Sequence, residues 1–355
     1  MNTKLLDTIA NAVLYEGYML YPYRRSSVKN RQRFNFGVLY PQSYSEAQSG
    51  SDACSSQTEC LVQAGSLTAI EVRVRFLKLV DRSVRRLTEP TATHQPDAMS
   101  GFECVSMLEA DGRVFMPWQE AIECEQTVPT CNLDGLTAMP LQWQFALPAK
   151  EETQPLCDAR GQLVGVMARR QESVRGMIEI KSVQAGNEVF KLRVRVKNIT
   201  SPADDSGHIS RDQALMQSLV SAHVLLGVVD GQFVSLLEPP ESLKEMAASC
   251  QNVGTWPVLV GAEGEKDTML SSPVILYDYP QIAPESPGDL FDGTEIDEIL
   301  ALRILTMTDD EKREMRDTDE RARKILERTE ALPMEHLMKL HGRLRELRSL
   351  KQEMP

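Results

Sequence analysis

The chain has 355 residues, 42% hydrophobic and 25% charged, enough for a large domain or two ordinary ones and too apolar for wholesale disorder. Its net charge of −12 excludes general nucleic-acid binding, where Lys and Arg must neutralise phosphates, and does not suit an anionic membrane surface. No apolar run reaches the roughly 18 residues of a membrane span, and Asp7 and Glu16 interrupt the apolar start as no signal peptide would allow, so a cytoplasmic location is expected.

Residues 3–16 place Leu6, Ile9, Ala10 and Val13 on one helical stripe, closed by Gly17. The extended segment that follows carries Tyr18, Tyr21, Tyr23, Arg24 and Arg25, with Lys29, Arg31 and Arg33 close behind. Interfaces favour Tyr and Arg, so this block reads either as a turn packed on the first strands or as a partner-docking surface. Residues 42–66, rich in Ser, Gln and Gly, read as a polar loop. From 34 to about 200 the pattern is that of strands, with Ile70, Val72, Val74 and Phe76 on one face and Phe190, Leu192, Val194 and Val196 on another. A short helix is expected over "WQEAIECE", residues 118–125. Residues 1–205 thus make an N-terminal helix plus an antiparallel β-sandwich-like part.

Beyond the linker-like stretch 201–207, Ser210 caps a helix with Leu215, Leu219, Ala222 and Leu226 on one stripe and His223 at its border. Strands are expected over "GQFVSLLEPP", "TWPVLVG" and Val274–Tyr279, with a short helix from Glu241 to Cys250. That alternation implies a smaller α/β unit over 206–293. From 294 to 355 the chain is helical and charged. Thr308 and Glu311 form a capping box, and Pro333 opens a last helix whose stripe is Leu337, Leu340, Leu344 and Leu347. Two heptads are too short for an independent coiled coil, so this stripe must dock on its own body or on a partner. The fold class is α+β: a sandwich-like N-terminal part, a smaller α/β unit and a helical C-terminal tail.

The seven cysteines are odd in number and irregular in spacing, without a CxxC. They read as reduced thiols, with a Cys54–Cys60 bridge or a metal captured there as alternatives. Walker, GxGxxG, HExxH and GxSxG patterns are absent from the sequence, which therefore names no catalytic residue and no cofactor. Residues 271–300 hold seven acidic side chains, no Lys or Arg, and prolines at 273, 280, 284 and 287. An EF-hand register on Gly293 puts Ile299 where the bidentate Glu belongs, so it fails. The stretch fits a strap running into a helix capped by Thr294, with Glu295, Asp297 and Glu298 complementing the first-turn dipole. Two other readings stay open. Pro284, Pro287, Asp289 and Phe291 would form a partner-binding epitope, or Asp289, Asp292, Glu295 and His223 would gather as the metal site of a hydrolase.

The segments "LYEGYMLYPYRRSSVKNRQRFNFGVLYP", "QTEC", "NVGTWPVLVG" and "SSPVILYDYPQIAPESPGDLFDGTEIDEILALRILTMTDDEKRE" together resemble a bacterial family associated with gene clusters of actinobacterial-type uptake [NiFe] hydrogenases. The resemblance covers both ends of the chain and is weaker in the middle. It implies a non-enzymatic accessory role in hydrogenase assembly, maturation or complex formation, with hydrogenase subunits or maturation proteins as partners. A third reading, consistent with that setting, has the cysteines carrying iron or nickel in transit.

Overall fold

A single strand of 33 residues, β1 (Ser55–Leu87), is the spine of the molecule. It belongs to a computed structural model that describes residues 3–27, 30, 33–34, 36–88, 101–201, 209–282, 286, 288, 290 and 297–333. One edge of β1 pairs in turn with β10 (Val189–Asn198), β5 (Trp118–Asn132) and β2 (Phe102–Cys104). The other edge pairs with β11 (Val220–Val234) and then β8 (Leu163–Gln171). Beyond β10 lie β9 (Val174–Gly186) and β6 (Leu141–Leu147), and beyond β11 lie β13 (Thr268–Ser272) and β12 (Trp256–Leu259). With β7 (Lys150–Cys157) on β8, this makes one curled sheet of 11 strands whose pairings are all antiparallel. A small hairpin, β3 (Leu108–Ala110) with β4 (Arg113–Phe115), stands apart.

β1 bends where its ladder with β11 slips, because four residues, 65–68, face the single residue Asp230. Thr68 fastens the bulge: its hydroxyl accepts from Gly65 N at 3.0 Å and donates to Asp230 O at 2.6 Å. Extra residues on one strand of a pair increase local twist, which helps the sheet curl. The interior so enclosed contains Ile70, Val72, Val74 and Phe76 with Leu192, Val194, Val196, Val224, Leu226 and Phe145, the two expected strand faces among them. Phe145 lies across Gly176 of β9, where an added Cβ would sit 2.1 Å from the ring, so only glycine fits.

The helices cover the outside. In α1 (Thr3–Leu14), Leu6, Ile9 and Ala10 pack on Leu225, Val258 and Leu270, each large side chain gaining about 1.5–3 kcal/mol from burial. Val13 is only half-buried, and Leu14 turns instead to a second core. That core lies between the tyrosine-rich segment, the Leu77–Leu79 face of β1 and three C-terminal helices, α6 (Asp297–Leu305), α7 (Asp309–Thr318) and α8 (Glu320–Glu330). Among the described residues there are four shorter α-helices: α2 (Gln42–Ala47), α3 (Leu133–Ala138), α4 (Arg211–Met216) and α5 (Lys244–Ala248).

Five expectations are corrected. The helix expected from Ser210 keeps its cap, a full capping box with Gln213, but stops at Met216, and its supposed stripe continues as β11. β11 is buried on both faces, with Val224 and Leu226 in the sheet interior and Leu225 under α1, and such a strand reads as an unbroken apolar run. "WQEAIECE" is the start of β5, because its acids meet arginines of β1: Glu120 with Arg82 at 2.9 Å and Glu123 with Arg75 at 3.3 Å. The expected loop 42–66 instead contains α2 and the first strand turn of β1, whose polar residues find internal partners, such as Gln57 with Gln251 O at 3.0 Å. Val274–Tyr279 is not a strand, since β13 ends at Ser272 and Val274 N turns back to Ser272 Oγ at 3.0 Å. Finally, β11, β12 and β13 extend the common sheet through β1, so they form no separate α/β unit.

Candidate functional site

Three places concentrate polar side chains or open surface, and the first joins the two ends of the chain. Asp319 follows α7 and caps α8, its Oδ1 accepting from Ala322 N at 2.7 Å. Its Oδ2 accepts from Tyr18 Oη at 2.7 Å and from Trp118 Nε1 at 2.9 Å. Arg82 reaches the same joint, donating to Thr318 O at 2.7 Å, where a cation suits the C-terminal end of α7. The Arg33 guanidinium lies 3.7 Å from the Trp118 ring centroid, a cation–π contact worth about 2 kcal/mol when desolvated. Burial pushes the Tyr18 phenol up, and the Asp319 carboxylate pushes it further. Burial lowers Arg33, with Tyr18 and Asp319 opposing.

This clasp relocates several expected docking residues. Tyr18 and Tyr23 are buried, with Tyr23 Oη donating to Leu290 O at 2.7 Å. Tyr21 lies under Arg303 of α6 at 5.4 Å, Arg24 pairs with Glu311 of α7 at 3.0 Å, and Arg25 donates to Ser106 O at 3.3 Å. The N-terminal block and the described C-terminal helices therefore meet each other. Asp319 and Arg33 were not singled out by pattern, although an Asp inside the charged run "RDTDERA" is the mark of a cap dividing two helices.

The second place is a neutral network around His223, which is fully buried. Its Nδ1 contacts Ser221 O at 2.7 Å, and a carbonyl can only accept, so Nδ1 carries the proton. Nε2 then accepts from Ser272 Oγ at 3.1 Å. Next to it, Ser271 Oγ is 2.8 Å from both Thr58 Oγ1 and Thr255 Oγ1. Desolvation holds His223 down to about 4, with Arg75 adding to the effect and the Ser221 carbonyl opposing it. The Ser–His geometry would suit a nucleophile and base, yet both residues are sealed inside the sheet, so the pair ties β11 to β13.

The third place is open. A groove of about 590 Å³ runs between the end of β11 and the turn after β13, with Phe233, Leu237, Tyr277 and Tyr279 on its walls and Glu238, Glu263 and Lys266 at its edge. Asp278 braces its floor, accepting from Leu259 N at 2.7 Å and from Ser235 Oγ at 2.5 Å. Those bonds, with Pro257 at an outward-facing position, also cap the edge of β12 against further strand pairing. Tyr277 is 83% exposed, Ile275 70% and Leu237 52%. Sequence reasoning placed the strand boundary wrongly here and so missed that Tyr277 faces out.

Pro284, Pro287, Asp289, Phe291, Asp292, Thr294, Glu295, Leu337, Leu340, Leu344 and Leu347 lie outside the described residues. Among the described residues no three His, Cys, Asp or Glu side chains converge as metal ligands would, and no helix is long and apolar enough to cross a membrane. Cys54 and Cys60 are free thiols, and Cys60 is buried, which pushes its thiol up and away from reactivity. No protein-family model and no curated protein sequence matches the chain.

Proposed function

We propose that the chain is a non-enzymatic accessory protein that works through protein–protein contacts, with a [NiFe] hydrogenase subunit or one of its maturation proteins as partner. The observation that supports a contact role is the groove beside β12: exposed apolar side chains on a floor braced by Asp278. Isolated exposed apolar residues need no explanation, but Leu237 and Tyr277 lining one concavity fit a surface meant to be covered. Glu238 at its rim favours an apolar partner segment that carries a Lys or Arg. The hydrogenase assignment rests on the resemblance of the chain ends, including "NVGTWPVLVG", which runs through β12. The curl supports a sandwich-like reading of the body, since strands from both ends of the sheet share one interior.

The test is a pull-down from native cells with a tagged chain, beside a Leu237→Asp/Tyr277→Asp variant. Hydrogenase subunits or maturation proteins are expected with the natural chain and not with the variant, whose melting temperature should be unchanged. Capture of neither class by the natural chain overturns the assignment. A gene deletion that leaves hydrogenase activity and subunit processing intact would overturn it as well.

A further inference from the structure

Five strands of the large sheet, β2, β5, β6, β7 and β12, pair on one side alone among the described residues. An unpaired strand edge invites another strand unless proline, charge or shortness prevents it. β2 is only three residues long. β12 has Pro257 and the bonds of Asp278, β7 has Lys150, Glu151, Glu152 and Pro155, and β5 has Pro129 beside its glutamates. β6 has none of these devices. Its seven residues read "LQWQFAL", without charge or proline, and β9 is its one partner.

The two faces of β6 differ. Leu141, Trp143, Phe145 and Leu147 pack toward the sheet interior, yet only Phe145 is buried and the other three stay half-buried at the margin. Gln142, Gln144 and Ala146 face out and are exposed.

This pattern is complementary to a second copy of itself. In an antiparallel pairing about Gln144, Trp143 meets Phe145, Leu141 meets Leu147 and Gln142 meets Ala146, so inward residues meet inward ones. The aromatic pair occurs twice, each worth about 0.2–1 kcal/mol relative to alanine. The same register sets Arg175 of one copy in a row with Glu179 of the other, with only Ala146 and Gln142 between them. A chain of net charge −12 repels its copies, and an uncharged strand flanked by matched charges lowers that repulsion. We propose that β6 is a self-association edge, through which two copies join antiparallel about Gln144 and continue one sheet across a two-fold axis. Such a contact is closed, because each copy spends its own β6 edge on the other. Seven residues a side make a small interface, so a dissociation constant on the order of micromolar is expected. The contact is independent of the groove beside β12.

Sedimentation velocity on the full chain, over about 1–200 µM, tests it. A monomer–dimer equilibrium with nothing larger is expected. Gln144→Lys sets two like charges against each other at the two-fold axis, as does Gln144→Glu. Each should weaken the dimer by about tenfold or more. An equimolar mixture of the two variants should dimerise again, a rescue that a merely structural effect of either replacement would not give. Gln144 is exposed, so both variants should keep the natural far-ultraviolet circular dichroism. A natural chain that stays monomeric at every concentration overturns the proposal. So does a dimer indifferent to both replacements, a mixture no better than either variant alone, or assembly beyond the dimer.

Discussion

The clasp around Asp319 and the network around His223 are both buried and polar, yet they are built on opposite electrostatic plans. The clasp gathers the charges of Arg33, Arg82 and Asp319 around neutral groups of the N-terminal segment and β5, with Tyr18 and Asp319 301 residues apart. The His223 network uses neutral hydroxyls and an uncharged imidazole from β1, β11, β13 and Thr255 just before β12. Buried charge is stable only while its partners stay in place, so the C-terminal helices are expected to dock and undock as one unit. A neutral network loses about one hydrogen bond at a time.

That contrast is broken most easily at Asp319. Asp319→Ala removes the acceptor of three hydrogen bonds and leaves Arg33 without its nearest counter-charge, and it should cost about 3–5 kcal/mol in urea unfolding. Hydrogen exchange should show α6–α8 losing protection while β9 and β10 keep theirs. Uniform loss across the sheet would show that the clasp is no separate cooperative unit.

The next largest effect is a pH dependence. His223 titrates near 6.5 when unfolded and is held down to about 4 in the fold. Between those values the unfolded chain binds a proton that the folded chain refuses, so stability is full above pH 6.5 and drains away as pH falls toward 4. The drop should total about 3 kcal/mol, and His223→Gln should flatten it in urea midpoints taken across that interval. Parallel curves for the two proteins would refute the assignment.

Ser272→Ala leaves His223 Nε2 and Val274 N without their partner and should cost about 1–3 kcal/mol, with protection of α6–α8 unchanged. Smallest of all is Tyr18→Phe, at about 1 kcal/mol by thermal or urea melt, because Trp118 and Ala322 still hold Asp319. A loss as large as that of Asp319→Ala would mean that the phenol, rather than the carboxylate, organises the clasp.

Much of the local structure was legible in the residues. Alternation predicted the inward faces of β1 and β10, the 3.6-residue period predicted α1, and the cap at Ser210 and the capping box at Thr308 both form. These signals are local: each depends on neighbours a few residues away. Local signals failed where burial is two-sided or partners are remote. β11 looks helical because both of its faces are apolar, and β5 looks helical because its Glu and Ala residues favour helices until arginines of β1 pair with them. The polar start of β1 looks like a loop until Gln251, Asn252, Val253 and Ser271 satisfy its backbone and side-chain polar groups.

The candidate sites follow the same division. Composition located a tyrosine and arginine block, a proline-spaced acidic strap and charged helices. It could not say that the first packs against the last, because a side chain's exposure is set by what the rest of the chain places over it. Only the tertiary structure turned Tyr18 and Tyr23 inward and left Leu237 and Tyr277 at the surface. The sequence by itself determined the secondary-structure vocabulary and the charge. The pairing of residues hundreds of positions apart, where desolvation and charge act only once the chain has closed, decided which of those residues remain free to bind.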